Sequence, residues 1–384
     1  MSKLDELLQG VDVEWLALGK IANFLNGKGH EKAISDDGKY IVVNSKFVSS
    51  EGKIIKYSDV QIVPLYIDDI LIVMSDLPNG KALAKTFLVE ENDKYTLNQR
   101  IGRISVINKN ALLPKYLNYI LNRNSDLLKF NNGVDQTNLK KNQILEVSIP
   151  IPCPDNPEKS LEIQQEIVRV LDELTSLTNQ LTTELETERQ NRKKQFEFFR
   201  EQLFRFEEGE AELKNLIDVA KISNGKDHKI FKDGSIPVYG SGGIMRYIDT
   251  SIYEDESVLI PRKGSIGNIF YVNEPFWTVD TIFYTKINIE IIIPKYFYYF
   301  LKTKDLKELN FAGGVPSLTK TVLDKIKIPI PPLAEQERIV KLLDQFDATH
   351  TAIEEEITKE IKLRTQQYEY YREKLLSFPS LRTT

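Results

Sequence analysis

Basic residues placed directly after a predicted strand are the most distinctive chemical feature of the sequence. Arg262 and Lys263 stand in the run Pro261-Arg-Lys-Gly264, which follows the apolar residues 258–260. An arginine at a strand end can make bidentate hydrogen bonds to guanine O6 and N7, and a lysine can neutralise a phosphate. The glycine that follows lets the backbone approach a ligand closely. This loop therefore predicts contact with nucleic acid.

Further basic and polar residues occupy turn-rich segments in both halves of the sequence. Taken one at a time, charged loop residues are more often solvated surface groups than readers of bases, so we expect only part of the set to contact DNA. The candidates in the second half are Lys226, Lys229, Tyr239, Ser241, Arg246, Arg262, Lys263 and Lys320, and those in the first half are Lys28, Lys32, Arg100, Arg103, Lys140 and Lys141.

Motifs that would carry out chemistry on DNA are incomplete. The run Asn273-Glu-Pro-Phe276 resembles the signature with which amino-methyltransferases grip a flipped base, but Glu274 replaces a proline and no Gly-x-Gly turn precedes it. The run Gly240-Ser-Gly-Gly243 lacks the Lys-Ser or Lys-Thr of a phosphate loop, which favours a tight turn. We therefore expect neither an S-adenosylmethionine site nor an ATP-driven motor in this chain.

Acidic, histidine and cysteine residues form no catalytic or metal-binding pattern either. Asp68 and Asp69 precede an apolar stretch without the Glu-x-Lys expected of a nuclease, so a solvated strand edge is the preferred interpretation. His30 and His228 lie in polar loops and are expected at the surface. One cysteine, Cys153, excludes a disulfide scaffold and a zinc site of several thiolates. The sequence predicts a chain without catalytic residues, metal or cofactor of its own.

Charge is distributed unevenly along the 384 residues. The net charge of −5 by itself argues against a nucleic-acid partner. The acidic excess lies in residues 158–212, with 14 acidic and 8 basic side chains, and in residues 333–384, with 10 and 8. Residues 1–157 hold 19 of each sign, and residues 213–332 hold 13 acidic and 16 basic. The segments with the candidate loops are neutral or basic, so the overall charge does not exclude DNA binding.

The two acidic segments are copies of each other. Shifted by 172 positions, residues 167–206 align with 339–378 without a gap and with 13 identities in 40 positions. Each copy has apolar residues at helical spacing and predicts a long helix whose apolar stripe packs against the other copy. Two unrelated bundle helices are the alternative. The positions assigned to helix packing or to a partner are Leu174, Leu181, Leu185, Phe199, Phe346, Ile353, Ile357 and Tyr371.

The repeat continues more weakly outside the helices. Leu113-Pro-Lys-Tyr116 corresponds to Ile293-Pro-Lys-Tyr296, and Ile149-Pro-Ile-Pro152 corresponds to Ile328-Pro-Ile-Pro331. Short β-branched and aromatic runs separated by turn residues indicate β-rich globular parts. We predict an α+β protein with an internal repeat, in which two β-rich mixed domains are separated by two long helices. The predicted boundaries are 1–157 for the first domain, 158–212 for the first helix, 213–332 for the second domain and 333–384 for the second helix.

An ordered set of motifs in the second half resembles the specificity subunits of type I restriction–modification systems. These motifs are Ile236-Pro-Val-Tyr-Gly-Ser-Gly-Gly243, Pro261-Arg-Lys-Gly-Ser-Ile-Gly267, Pro275-Phe-Trp-Thr-Val-Asp280, Gly314-Val-Pro-Ser-Leu318, Ile328-Pro-Ile-Pro-Pro332 and Glu335-Gln-Glu-Arg-Ile-Val340. The resemblance extends over nearly the whole chain. The first half departs from it, because Met74-Ser-Asp-Leu-Pro-Asn-Gly80 stands in place of the Arg-Lys-Gly loop.

The resemblance implies a division of labour with other subunits. It implies two target-recognition domains, held apart by antiparallel helices in a pseudo-two-fold arrangement, each reading one half of a bipartite, asymmetric DNA target. It further implies two methyltransferase subunits, which dock on the helices and supply S-adenosylmethionine, and two restriction subunits, which use ATP and Mg²⁺. The chain itself would hold no cofactor and would not be an enzyme alone.

Two other functions remain open at the level of sequence. One is a specificity subunit that serves a different bipartite-site restriction–modification system. The other is a coiled-coil adaptor that does not bind DNA, which fits the helices but not the basic loops. No apolar run reaches the roughly 18–20 residues of a membrane span. We expect a cytoplasmic protein.

Overall fold

The computed structural model describes residues 10–30, 32–77, 81–309 and 317–378. The chain divides into two compact units: Met1–Leu181 together with Leu363–Thr384, and Thr182–Lys362. Each unit combines one β-rich globular part with portions of two long helices. We call the globular part before the first long helix the first head, and the one between the two long helices the second head.

The first head contains short strands and helices around two hydrophobic clusters. Its helices are α1 Leu18–Ile21, α2 Ser45–Ser49, α3 Pro114–Leu121, α4 Ser125–Leu128 and α5 Lys141–Leu145. Its strands are β1 Val13–Ala17, β2 Ala22–Asn26, β3 Ile34–Ser35, β4 Tyr40–Val43, β5 Tyr57–Ser58, β6 Ile70–Val73, β7 Ser75–Asp76, β8 Thr86–Leu88, β9 Tyr95–Leu97, β10 Ile101–Val106, β11 Thr137–Asn138 and β12 Ser148–Pro152.

The second head follows the same plan between the two long helices. The long helices are α6 Pro157–Gln202 and α10 Leu333–Leu376, and the helices of the second head are α7 Leu216–Val219, α8 Pro294–Lys302 and α9 Lys320–Leu323. Its strands are β13 Glu212–Asn215, β14 Ala220–Asn224, β15 Ile236–Gly240, β16 Gly243–Ile248, β17 Ser257–Pro261, β18 Phe270–Val272, β19 Trp277–Thr278, β20 Ile282–Ile287 and β21 Lys327–Ile330.

The sheet topology of the two heads confirms the internal repeat. An antiparallel four-stranded sheet has the order β2-β10-β6-β8 in the first head and β14-β20-β17-β18 in the second. Each head adds a second sheet with one parallel pair, β4 with β9 in a four-stranded sheet of the first head and β15 with β19 in a three-stranded sheet of the second. The proline-bearing strands β12 and β21 each belong to a two-stranded ribbon, where an edge position tolerates proline. The α+β class and the β-rich heads are as predicted.

The two long helices run antiparallel in the second unit. The rings of Phe199 and Phe346 lie 6.3 Å apart, those of Phe196 and His350 lie 5.2 Å apart, and Arg189 is 4.0 Å from Glu354. The residue number therefore rises along α6 as it falls along α10. In the first unit, Thr175 Oγ1 lies 3.1 Å from the hydroxyl of Tyr368. The predicted contact between the two helix copies is confirmed, but the first apolar residues of each copy, Ile167, Leu171, Ile339 and Leu343, lie in the cores of the heads instead.

The sequence Asn-Gly-Lys stands at residues 26–28 of the first head and 224–226 of the second, and in both places the glycine lies against the backbone of a neighbouring segment. A Cβ atom on Gly27 would lie 2.1 Å from the carbonyl oxygen of Asn98, and one on Gly225 would lie 2.0 Å from that of Val279. Any larger residue would displace the neighbouring strand. The lysine after the glycine contacts the same neighbouring segment, because the Lys226 N–H donates to Thr278 O at 2.8 Å.

A buried glutamine near the start of each long helix joins the helix to its head. Gln336, fully buried, accepts a hydrogen bond from the Ile293 N–H at 2.9 Å and donates to Ile291 O at 3.0 Å. In the first unit, Gln164 accepts from the Leu113 N–H at 2.9 Å and donates to Ala111 O at 2.9 Å. Each glutamine satisfies backbone groups just before the aromatic helices α3 and α8.

An aspartate further along each long helix repeats this connection. Asp344 accepts a hydrogen bond from the Tyr299 hydroxyl at 2.8 Å and pairs with Lys295 at 2.8 Å. Asp172 makes the same two contacts in the first unit, with Tyr119 and Lys115. Burial, followed by the hydrogen bond to Asp344, raises the pKa of Tyr299, so this hydroxyl stays a donor. The helix and head of each unit are therefore held by matching polar contacts.

The buried glutamine gives a direct test of this connection. Gln336→Ala should destabilise the second unit, because each buried backbone group left unpaired costs about 1–3 kcal/mol. Gln345→Ala, at an exposed position of the same helix, serves as the matched control and should change stability by less than about 0.5 kcal/mol. Urea unfolding followed by far-ultraviolet circular dichroism measures both. Equal stability of the two variants would contradict this role of Gln336.

Candidate DNA interface

The predicted basic loop lies at the end of strand β17, where three segments of the second head meet. The Arg262 N–H donates to Thr281 O at 3.0 Å, and the Leu318 N–H donates to Arg262 O at 2.8 Å. The backbone of Lys263 forms an isolated antiparallel β-bridge with that of Ser317. Residues 314–316, at the start of the motif that ends in Leu318, lie outside the described residues. The Arg262 guanidinium lies 5.1 Å from the ring centre of Phe283, and Lys320 Nζ lies 5.8 Å from the same ring. The structure thus brings Arg262 and Lys320 together over one buried aromatic ring, with Lys263 next to Arg262 in the same loop.

This group carries positive charge without an internal counterion. Among the described residues, neither Arg262, Lys263 nor Lys320 forms an ion pair, and the buried Nε of Arg262 has no hydrogen-bond partner. Gly264 follows with a φ of +75°, a conformation that favours glycine, and its position for a Cβ lies 3.0 Å from Ser241 Oγ. An unpaired, half-buried arginine at a strand end can bind an anion or the edge of a base.

The other candidates of the second head differ in how free their side chains are. Tyr239 is half-buried against Phe270, with ring centres 5.7 Å apart, and burial raises its pKa. Arg246 pairs with Asp233 at 2.7 Å. Lys226 and Lys229 are exposed in the loop before β15, and Ser241 occupies the turn between β15 and β16. That turn confirms the interpretation of Gly240-Ser-Gly-Gly243 as a tight turn.

The first head presents the same backbone frame with different side chains. The Met74 N–H donates to Arg100 O at 3.0 Å, and the Leu139 N–H donates to Met74 O at 2.7 Å. Met74 therefore stands where Arg262 stands in the second head, and Arg100 stands where Thr281 stands. Arg100 is exposed and forms no ion pair among the described residues. The arginine missing from the loop after β6 is supplied by the adjacent segment before β10.

A lysine over an aromatic ring also recurs in the first head. Lys141 Nζ lies 5.9 Å from the ring centre of Phe24, matching Lys320 over Phe283. The Phe24 ring fills the space beside Gly102, which takes the strand position of Phe283. Lys140 is exposed at the N-cap of α5, and Lys28 and Lys32 are exposed in the loop after β2.

Amide side chains beside Arg100 were not found by sequence reasoning. Gln136 Nε2 donates to Ser75 Oγ at 2.7 Å and lies 3.4 Å from Asn138 Oδ1. Gln136, Asn138 and Arg100 line one cavity of about 260 Å³. Glutamine and asparagine are the residues that make bidentate contacts to adenine. Charged residues were the main candidates taken from the sequence, so these amides were not among them.

Three sequence interpretations in the first head are wrong or weakened. Asp69 is buried rather than solvated, because it accepts hydrogen bonds from the Tyr66 N–H and the Ser105 hydroxyl. Arg103 lies 3.8 Å from Asp69 and donates to Pro64 O, so its guanidinium is already engaged. His30 is 1% exposed, because Thr96 Oγ1 and Lys28 O take both ring nitrogens. His30 is a core residue, not a surface one.

The positions predicted for helix packing divide by exposure. Ile357 is buried, with 8% of its surface exposed, and the other four aliphatic residues are half-buried. Those four are Leu174, Leu181, Leu185 and Ile353. The aromatic residues Phe199, Phe346 and Tyr371 are 45%, 40% and 42% exposed. The aliphatic positions contribute to packing, whereas the aromatic ones leave apolar surface uncovered.

Comparison with known proteins agrees with the duplicated architecture. The family described as the type I restriction modification DNA specificity domain matches residues 10–188 and 208–363. A solved chain of a type I restriction–modification system, studied for complex assembly and conformational transition, matches with a TM-score of 0.74 at 16% identity, over 95% of this chain and 97% of that chain. The HsdS subunit from Thermoanaerobacter tengcongensis matches with a TM-score of 0.52, at 16% identity and over 95% and 96% of the two chains.

Two heads with one strand order, each joined to long antiparallel helices, define the class of fold. The chain is similar to the specificity subunit of the type I restriction enzyme EcoR124I/EcoR124II from Escherichia coli, with 32% identity over 100% of this chain and 98% of that one. It is 29% identical to the EcoprrI specificity subunit from Escherichia coli, over 92% of each chain. The chain belongs to the family of type I restriction enzyme specificity subunits.

Residues 10–30, 32–77, 81–309 and 317–378 contain neither a cluster of metal-ligating residues nor a membrane-spanning helix. No group of three or more histidine, cysteine, aspartate or glutamate residues is placed there to hold a metal ion. No helix in those ranges is long and apolar enough to cross a membrane.

The two arginines of strand β10 and its preceding segment should behave differently when removed. Arg103→Ala should destabilise the first unit by about 1–3 kcal/mol, because Asp69 stays buried after losing its cation. Arg100→Ala, at an exposed position three residues away, should change stability by less than about 0.5 kcal/mol. Thermal unfolding of both variants distinguishes them. If the Arg103→Ala protein is as stable as the wild type, its guanidinium is not needed for folding and Arg103 is again a candidate for DNA contact.

Proposed function

We propose that this chain is the DNA-reading specificity subunit of a type I restriction–modification complex, with one half of a bipartite, asymmetric target read by each head. The recognition domains would be residues 1–157 and 213–332, and the helical segments 158–212 and 333–384. The observation that carries the proposal is the unpaired cationic group Arg262, Lys263 and Lys320 at a strand end. Its frame recurs in the first head with Arg100 and Lys141.

The chemical difference between the heads supports an asymmetric target. The second head offers a guanidinium and two ammonium groups, which suit guanine and phosphate. The first head offers Arg100 beside the amides of Gln136 and Asn138, which suit guanine and adenine. Two half-sites read by different side chains on one frame would differ in sequence. The remaining candidates, Lys28, Lys32, Lys140, Lys226 and Lys229, would contact phosphates.

The long helices would dock the catalytic partners. The chain would be non-catalytic by itself; two methyltransferase subunits would bring S-adenosylmethionine, and two restriction subunits would bring ATP and Mg²⁺. Exposed apolar side chains on the helices support docking there, with Phe198 56% exposed and Tyr370 61% exposed. Aromatic residues of this kind are typical anchors of protein interfaces.

Mapping methylated adenines tests the assignment of the two heads. Arg262→Ala should relax the sequence requirement in one half-site only, and Arg100→Ala in the other, because each loses about 1–3 kcal/mol of base discrimination. Lys221→Ala, an exposed residue of β14, is the control and should leave the methylome unchanged. The variants are expressed with the methyltransferase subunit in cells that lack other adenine methylation. Unchanged methylation by both arginine variants would refute this reading surface.

Substitution of exposed aromatic residues tests whether the methyltransferase subunit docks on the long helices. Phe198→Ser and Tyr370→Ser should weaken binding of the methyltransferase subunit by about 10-fold or more each, because a buried aromatic anchor contributes about 1.5–3 kcal/mol. Gln195→Ser, exposed on α6, is the control. Size-exclusion chromatography and calorimetric titration measure assembly. Normal assembly by both aromatic variants would place the methyltransferase elsewhere.

A further inference from the structure

A second basic site lies in the second unit, away from the Phe283 ring. A cavity of about 380 Å³ opens between α6, α8, α10 and the segment after the Arg262 loop, where Gly267 and Ile269 line it. Its cationic lining residues are Lys193 and Arg200 of α6 with Lys302 and Lys304 at the end of α8. All of these residues belong to the continuous unit Thr182–Lys362.

The cavity has an excess of positive charge. Four cations line it against two acids, Glu197 and Asp347. Within the described part of the chain, none of the four cations makes a side-chain hydrogen bond or an ion pair. Their recorded contacts are with rings instead: Arg200 lies over Phe196, and Lys302 over Tyr298. The four positive charges therefore exceed the two negative charges that line the cavity.

Two buried nitrogen atoms at this cavity lack hydrogen-bond partners. They are Nε of Arg200 and Nε2 of His350. Burial lowers the pKa of Lys302, and the nearby charge of Arg200 lowers it further. Burial also lowers the pKa of Arg200. Holding these cations together costs free energy that a bound anion would offset.

The repeat provides an internal comparison for this site. Arg372 corresponds to Arg200, and in the first unit its guanidinium donates to Tyr119 O at 2.9 Å and to Asn122 O, at the end of α3. Asn122 occupies the position that Lys302 has at the end of α8. Arg372 therefore donates to helix carbonyls in the first unit, whereas the corresponding Arg200 makes no side-chain hydrogen bond to any described residue in the second. The framework of the fold does not require Arg200 to be free.

We infer that this cavity binds a phosphate group, with Arg200 and Lys302 as its half-buried contacts and Lys193 and Lys304 at its exposed edge. Arginine and lysine in one cluster provide the donors and charge that a phosphate needs. The phosphate could come from the DNA backbone beside the half-site or from a free phosphate compound. The DNA source rests on the proposed function, because the lining segment at Gly267 continues from the Arg262 loop.

Inorganic phosphate is the probe for the site itself. At constant ionic strength with chloride as the reference, phosphate should raise the midpoint of thermal unfolding of the full chain. The Arg200→Gln/Lys302→Gln variant should lose this shift. Lys194→Gln, exposed on α6 outside the cavity, should retain it. If the double variant does not fold, Lys302→Gln alone replaces it, since Lys302 lies at a helix end. An equal shift in wild type and cavity variant would overturn the site.

DNA binding distinguishes the two sources of phosphate. If the DNA backbone is the ligand, the double variant should bind DNA with a weaker salt dependence. The magnitude of the slope of log affinity against log salt should fall by about one to two, and the methylated sequence should stay unchanged. A lost thermal shift with an unchanged slope would identify a free phosphate compound. If the double variant keeps both the thermal shift and the salt dependence of the wild type, the inference is refuted. Failure of the wild-type complex to recognise any specific sequence would instead refute the proposed function, while the thermal result would still stand.

Discussion

The buried glutamine at the start of each long helix is the interaction on which each unit depends. The fully buried side chains of Gln164 and Gln336 pair with backbone groups just before α3 and α8. Once this contact forms, the tyrosine and lysine on the next helix meet the aspartate two turns along. The head is then oriented on its helix, and the strand-end loops are presented by a rigid support.

The heads show how one frame can carry two different chemical surfaces. The hydrogen bond from the Met74 N–H to Arg100 O matches the one from the Arg262 N–H to Thr281 O. The backbone arrangement is therefore the same in both heads, but the arginine is the donor residue in the second head and the acceptor residue in the first. Backbone contacts of this kind do not depend on side-chain identity. A loop residue can therefore be replaced without loss of fold, provided that it is not engaged internally as Arg103 is.

Much of the architecture could be predicted from the sequence, because periodicity and repetition are local signals. The long helices, the β-rich heads and the loop at Arg262 follow from spacing alone. The state of individual side chains could not, because their partners are distant in sequence: His30 bonds to Thr96, and Arg103 approaches Asp69 from another strand. The position of Arg100 next to the loop at Met74 depends on how the strands pair, which a single sequence does not contain. Whether a charge is free is a tertiary property.

The division of the chain has a consequence for the order in which the protein can fold during synthesis. The second unit is one continuous stretch, Thr182–Lys362, whereas the first unit combines Met1–Leu181 with Leu363–Thr384. Phe378 belongs to the core of the first head, and Arg372 donates to the carbonyl of Tyr119. The first unit therefore cannot be completed until residues 363–378 are available, whereas the second unit needs only the continuous residues 182–362.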